Sequence, residues 1–189
     1  MEYILIAELA ILIIMVIIRS LMLRRNGINA IVFGSTDKTD YFLIPIVLTF
    51  FYALLAPIFN FPFPIILKNP FWNISILNYL AIIISTISLI WFAITLKIFG
   101  NSFRVGIDKN TTNDLITGST FSISRNPIYI AFIAFFLGVF LSYPTIVTVF
   151  FLIFLTIMIH RQILREEKFL KNHYGKEYEE YSRNVRRYI

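Results

Sequence analysis

Apolar runs too long for a soluble core dominate this chain. A helix rising 1.5 Å per residue needs roughly 20 apolar residues to cross a hydrocarbon layer about 30 Å thick. Residues 4–23, 41–59 and 71–99 meet that requirement. A fourth block, residues 128–159, is too long for one crossing and is broken at Ser142, Tyr143 and Pro144. Proline ends one helix and suits the first turn of the next. The block therefore reads as a tight helical hairpin with arms of about 16 residues, each reaching about 24 Å. The expected fold is an all-α integral membrane protein with about five transmembrane helices, the last two forming a helical hairpin.

Composition agrees with lipid as the main solvent. Of 189 residues, 58% are hydrophobic, and the mean hydropathy is +0.75, beyond the range of ordinary soluble domains. Met1 and Glu2 lead straight into a full-length span whose cations follow it, the arrangement of an anchor and not of a removable signal. The net charge of +6 does not point to nucleic acid, because the basic residues flank apolar blocks instead of forming one stripe. Five crossings place 16 of the 17 Lys and Arg residues on one side, with Lys68 alone opposite. By the positive-inside rule the N-terminus is then expected outside, and the C-terminus and any active site cytoplasmic. Absence of cysteine removes disulfides, thiolate metal sites and cysteine nucleophiles. His160 and His173 lie 13 residues apart with no metal-ligand spacing around them, so no metal is expected.

Chemistry is expected where the lipid pattern breaks, in residues 100–126 and from Arg161 onward. The first stretch is rich in turn residues and ends in Ser124, Arg125, Asn126 and Pro127 against the hairpin. Unpaired N–H groups in a helix's first turn favour a carboxylate or carbonyl-rich group beside Arg125 to Tyr129, although a cationic anchor and helix cap is the plainer reading. In the second stretch Gln162 and Glu166 share a helix face at i, i+4. Glu166 and Glu167 suit an ammonium or ribose hydroxyls, although pairing with Arg165 or Lys171 as a solvated face is the plainer reading. Gly175 reads as a helix stop, followed by a short amphipathic helix with Tyr178 and Tyr181 on one side, lying along the membrane. Glu8, the one acid inside an apolar block, stands about 6 Å from its helix start and is expected to be interfacial and solvated, with no site role. No strand leads into G-x-G-x-x-G, and neither a P-loop nor G-x-S-x-G occurs.

The ordered set Asn113-Asp114-Leu115-Ile116-Thr117-Gly118, Phe121, Arg125-Asn126-Pro127-Ile128-Tyr129, an apolar hairpin, Glu166-Glu167, Tyr174-Gly175 and Glu177-Tyr178 with Tyr181 resembles the C-terminal signature of the isoprenylcysteine carboxyl methyltransferase family and its phospholipid methyltransferase relatives. The resemblance covers about residues 100–189 and implies two parts, an N-terminal set of three helices over residues 1–99 and a methyltransferase core over residues 100–189. It implies a cytoplasmic site for S-adenosyl-L-methionine. Asn113, Asp114, Leu115, Ile116, Phe121, Asn126, Pro127, Ile128, Tyr129 and Glu166 would bind the cofactor, and Arg125 would anchor charge at the reacting centre. Gln162 would face the substrate, at a position where prenylcysteine enzymes carry an arginine for the substrate carboxylate. Asn126 stands where the family usually has histidine; it keeps a donor and an acceptor but cannot titrate. The acceptor would be a lipophilic or prenylated molecule entering from the bilayer. Carboxyl O-methylation of an isoprenylcysteine-like substrate is the first expectation, with a phospholipid amine or thiol as the alternative. A non-enzymatic scaffold or transport subunit is the alternative of another class.

Overall fold

A computed structural model describes residues 2–25, 41, 43–99 and 115–189. Among these residues the regular structure is helical: α1 (Glu2–Arg25), α2 (Leu43–Phe59), α3 (Ile65–Lys68), α4 (Ser75–Phe99), α5 (Thr120–Ile123), α6 (Pro127–Ser142), α7 (Ile146–Tyr174) and α8 (Lys176–Asn184). Three helices, Tyr3–Arg25, Ser75–Phe99 and Ile146–Tyr174, are long and apolar enough to cross a membrane, while α2 and α6 are shorter apolar helices. The chain is an all-α membrane protein.

Its side-chain distribution is that of a bundle in lipid. On α4, Ile83, Ile87, Ile90 and Ile94 face outward, whereas Ala81, Ser85, Ser88, Phe92 and Thr95 face the bundle. Small and hydroxylated residues let helices approach closely where no hydrophobic effect drives them together. Ser88 and Thr95 donate to the carbonyls four residues back, at 2.7 and 2.8 Å, so their hydroxyls cost little inside. The closest approach is at Gly138 of α6. A Cβ there would lie 2.9 Å from the Ala81 carbonyl oxygen and 3.2 Å from Ser85 Cβ. Further along, Trp91 Nε1 donates to the Pro127 carbonyl at 3.0 Å, so α4 and α6 run antiparallel.

The hairpin breaks where the sequence indicates, with one adjustment. Pro144 lies in the turn, and Thr145 caps α7 in a reciprocal box: Thr148 N donates to Thr145 Oγ1 at 3.3 Å and Thr145 N to Thr148 Oγ1 at 2.9 Å. The turn is held to the α3–α4 connection, where Phe71 N donates to the Pro144 carbonyl at 2.7 Å and Trp72 Nε1 to that of Leu141 at 3.4 Å. Both connections therefore lie at one end of the bundle, opposite the start of α6.

Glu8 departs from its expected place. It is 7% exposed and points at α4, where Ser85 Oγ and Thr86 Oγ1 donate to its two carboxylate oxygens, the latter at 2.6 Å. The neighbouring helix supplies the donors that water was expected to provide. A second departure concerns α8. Its Tyr178 and Tyr181 face is buried against the protein and does not lie against lipid.

Candidate functional site

α5 is a single turn that delivers the chain to residues 124–126, after which Pro127 opens α6 at the position where its missing N–H costs nothing. Asn126 occupies the N-cap position, yet its side chain does not cap the helix. Its Nδ2 donates instead to the Arg187 carbonyl at 3.1 Å, and its backbone N–H donates to Ser124 Oγ at 3.0 Å. Ser124, fully buried, donates to the same Arg187 carbonyl at 3.2 Å. Arg125 N donates to the Arg186 carbonyl at 3.0 Å.

Two side-chain clusters grow from adjacent residues of α7. In the first, Glu166 Oε1 accepts from Tyr129 Oη at 2.6 Å and from Gln162 Nε2 at 2.8 Å. These donors are neutral, so they orient the carboxylate without cancelling its charge. In the second, Glu167 accepts from Arg187 through Nε (3.0 Å to each oxygen) and Nη2 (2.7 Å), and Arg125 Nη2 lies 3.2 Å from Oε1. The fork of Arg187 on this largely shielded carboxylate is a strong, directional contact, and Arg125 adds a single-point ion pair. The exposed Lys171–Glu179 pair at 3.1 Å contributes little by comparison.

α8 closes this end. Tyr181 Oη donates to the Phe121 carbonyl at 2.7 Å. Burial pushes the Tyr181 phenol up to about 12, with Tyr178 adding to the shift and Arg125 opposing it. Burial also raises Tyr178, reinforced by the Glu167 charge and opposed by Arg125. Arg125 Nε, Tyr178 Oη and Thr120 Oγ1 are buried without a hydrogen-bond partner of good geometry.

The structure thus gathers Arg125, Asn126, Tyr129, Gln162 and Glu166 where the start of α6 faces the C-terminal half of α7, at the open end of the hairpin. Pro127 is buried there, Ile128 packs partly buried on the core, and Phe121 is buried with its ring centroid 5.1 Å from that of Phe99. Leu115 and Ile116 are half-buried just before α5. Asn113 and Asp114 lie outside the described residues. Sequence reasoning gave no role to Arg187, Ser124 or the Glu167 carboxylate as the centre of a network. It also missed His160 Nδ1 and Tyr188 Oη, 2.6 Å apart. A small apolar cavity of about 40 Å³, lined by Leu5, Leu9, Leu54, Pro57, Val139 and Tyr143 among others, lies at the opposite end of α6. From Pro127 to Val139 the helical rise is about 18 Å, so that cavity takes no part in this cluster.

A phospholipid methyltransferase family model matches residues 74–177. The chain belongs to the phospholipid methyltransferase family. It is accordingly a membrane methyltransferase. The phospholipid methyltransferase match begins at the start of α4, so it takes in a helix that the resemblance had left outside, and it spans every candidate site residue named above. Arg187 and the stretch that carries it fall beyond the match. No curated protein and no solved structure matches the chain.

Proposed function

We propose that the protein transfers a methyl group from S-adenosyl-L-methionine to an amine headgroup of a membrane lipid. The observation that carries the choice of acceptor is Gln162. It stands where a prenylcysteine enzyme would present an arginine to the substrate carboxylate, and here it donates to Glu166 at 2.8 Å. With Gln162 so engaged, an isoprenylcysteine-like carboxylate has no cation at that position, and the family match favours a phospholipid acceptor.

The donor set fits the cofactor. A zwitterionic amino-acid end calls for a carboxylate facing its ammonium and donors facing its carboxylate. Glu166, oriented by Tyr129 and Gln162, answers the first need. Arg125 and the first-turn N–H groups of α6 answer the second. When bound, the cofactor supplies an electrophilic methyl on a positively charged sulfur. The chain's own work is to hold two reactants in line and keep water away, effects that reach about 7–11 kcal/mol in well-oriented systems. The outward isoleucines of α4 and α7 offer lipid direct lateral access. Five crossings with the site on the cytoplasmic face, the residues 1–99 acting as a helical platform and residues 100–189 as the core, complete the reading; the positive-inside count supports it.

Calorimetric binding of S-adenosylhomocysteine to the detergent-purified protein tests the cofactor. Micromolar binding that is lost in a folded Glu166→Ala variant is expected, and no binding to folded wild type would overturn the reading. Labelled methyl transfer into vesicles containing an aminophospholipid, against a prenylcysteine ester precursor, tests the acceptor.

A further inference from the structure

Residues 185–189 leave α8 and cross the junction between the two elements that carry the candidate site. Val185 N closes α8 on the Tyr181 carbonyl at 3.0 Å, and the contacts of residues 186–188 then reach the site and its neighbours. The Arg187 carbonyl takes Ser124 Oγ and Asn126 Nδ2, the Arg186 carbonyl takes the Arg125 N–H, and the Arg187 guanidinium grips Glu167. Tyr188 reaches His160, two residues from Gln162 on α7.

We infer that residues 185–189 form a strap that fixes the cofactor site, with Arg187 as its positioning residue. The main chain of Arg187 sets residues 124–126, and its side chain sets Glu167 and through it the register of Glu166. The two arms act on different elements, α6 through the backbone and α7 through the guanidinium, so the strap fixes the spacing between Asn126 and Glu166. Neither residue alone specifies that spacing. Arg187 touches the site's supports and is not a catalytic residue. The inference rests on the methyl-transfer reading above.

Substitution separates the two arms. Arg187→Ala keeps the backbone arm and frees Glu167 to Arg125 alone; Arg187→Lys restores charge but not the fork; deletion of residues 185–189 removes both arms. In detergent-purified full chains, Arg187→Ala is expected to weaken S-adenosylhomocysteine binding about tenfold and to raise the cofactor KM in parallel, leaving the KM for the lipid acceptor unchanged. Arg187→Lys is expected to recover part of the loss, and the deletion to exceed it. Should the deletion not fold, the two point variants carry the test, since all main-chain bonds persist in them. Wild type that binds while Arg187→Ala binds equally well overturns the strap alone, as does a parallel rise in both KM values with no recovery in Arg187→Lys. Wild type that does not bind overturns the strap together with the methyl-transfer reading.

Discussion

Glu8→Ala would leave Ser85 and Thr86 on α4 without the acceptor that now faces them inside the bundle. A buried group that loses its partner costs about 1–3 kcal/mol, so this variant is expected to unfold earlier in thermal melts in detergent. Glu8→Gln, which keeps an acceptor oxygen and the same shape, is expected to lose less than half as much. Equal melting for all three proteins would mean that the hydroxyls are satisfied by their own helix; the Ala81 carbonyl, 2.9 Å from Ser85 Oγ, is the acceptor to which that hydroxyl can turn. The residue shows what a single sequence can and cannot give. Its position along the helix follows from rise alone, but whether it meets water or a neighbouring helix depends on the packing of α1 on α4. Arg125, Tyr129 and Glu166 were singled out through the resemblance alone, because a cationic anchor and a solvated salt-bridge face are the plainer readings of such residues beside an apolar hairpin. Arg187 was not legible, because one more arginine in a basic tail carries no local signal of its partner twenty residues away.

At the scale of elements, the α4–α6 crossing depends on the absence of a side chain at Gly138. Gly138→Ala forces a methyl to 2.9 Å from the Ala81 carbonyl, and overpacking of this kind costs about 1–3 kcal/mol. Gly118→Ala, with nothing within 4 Å of its Cβ, is the matched control and is expected to melt with wild type. The docking of α8 on α5 gives an alkaline signature. The Tyr181 phenol titrates near 10 in an unfolded chain and is pushed up to about 12 in the fold. Its folded value is raised, so its contribution is complete below about pH 10 and is lost as the pH climbs toward 12. Melting temperature is expected to fall across that window in wild type and less steeply in Tyr181→Phe, which also loses the bond to the Phe121 carbonyl. The hairpin and its break at residues 142–144 were readable because proline and length act locally. That the aromatic face of α8 meets protein instead of lipid was not readable, since both solvents select the same apolar stripe.

For the whole molecule, the proposed acceptor predicts how the rate varies with pH. An amine attacks only as the neutral base, and alkyl ammonium groups lose their proton near 10, so kcat/KM on an aminophospholipid is expected to rise close to tenfold per pH unit between about 6 and 8. A carboxylate acceptor is already ionised there and gives a flat profile. The arrangement in the bilayer is open to an equally direct test because the chain has no cysteine. Bonds from Phe71 and Trp72 to the α6–α7 turn place the α3–α4 connection at one end of the bundle, while α8 and Arg187 close the other around Glu167. Asn69 and Asn184 are both exposed, one at each end. With single-cysteine variants Asn69→Cys and Asn184→Cys in sealed vesicles of known orientation, a membrane-impermeant maleimide is expected to label the first only from outside and the second only from the cytoplasmic side. Labelling of both from the same side would remove the odd number of crossings between them and, with it, the placement of the methyl-transfer site on the face that carries the basic residues.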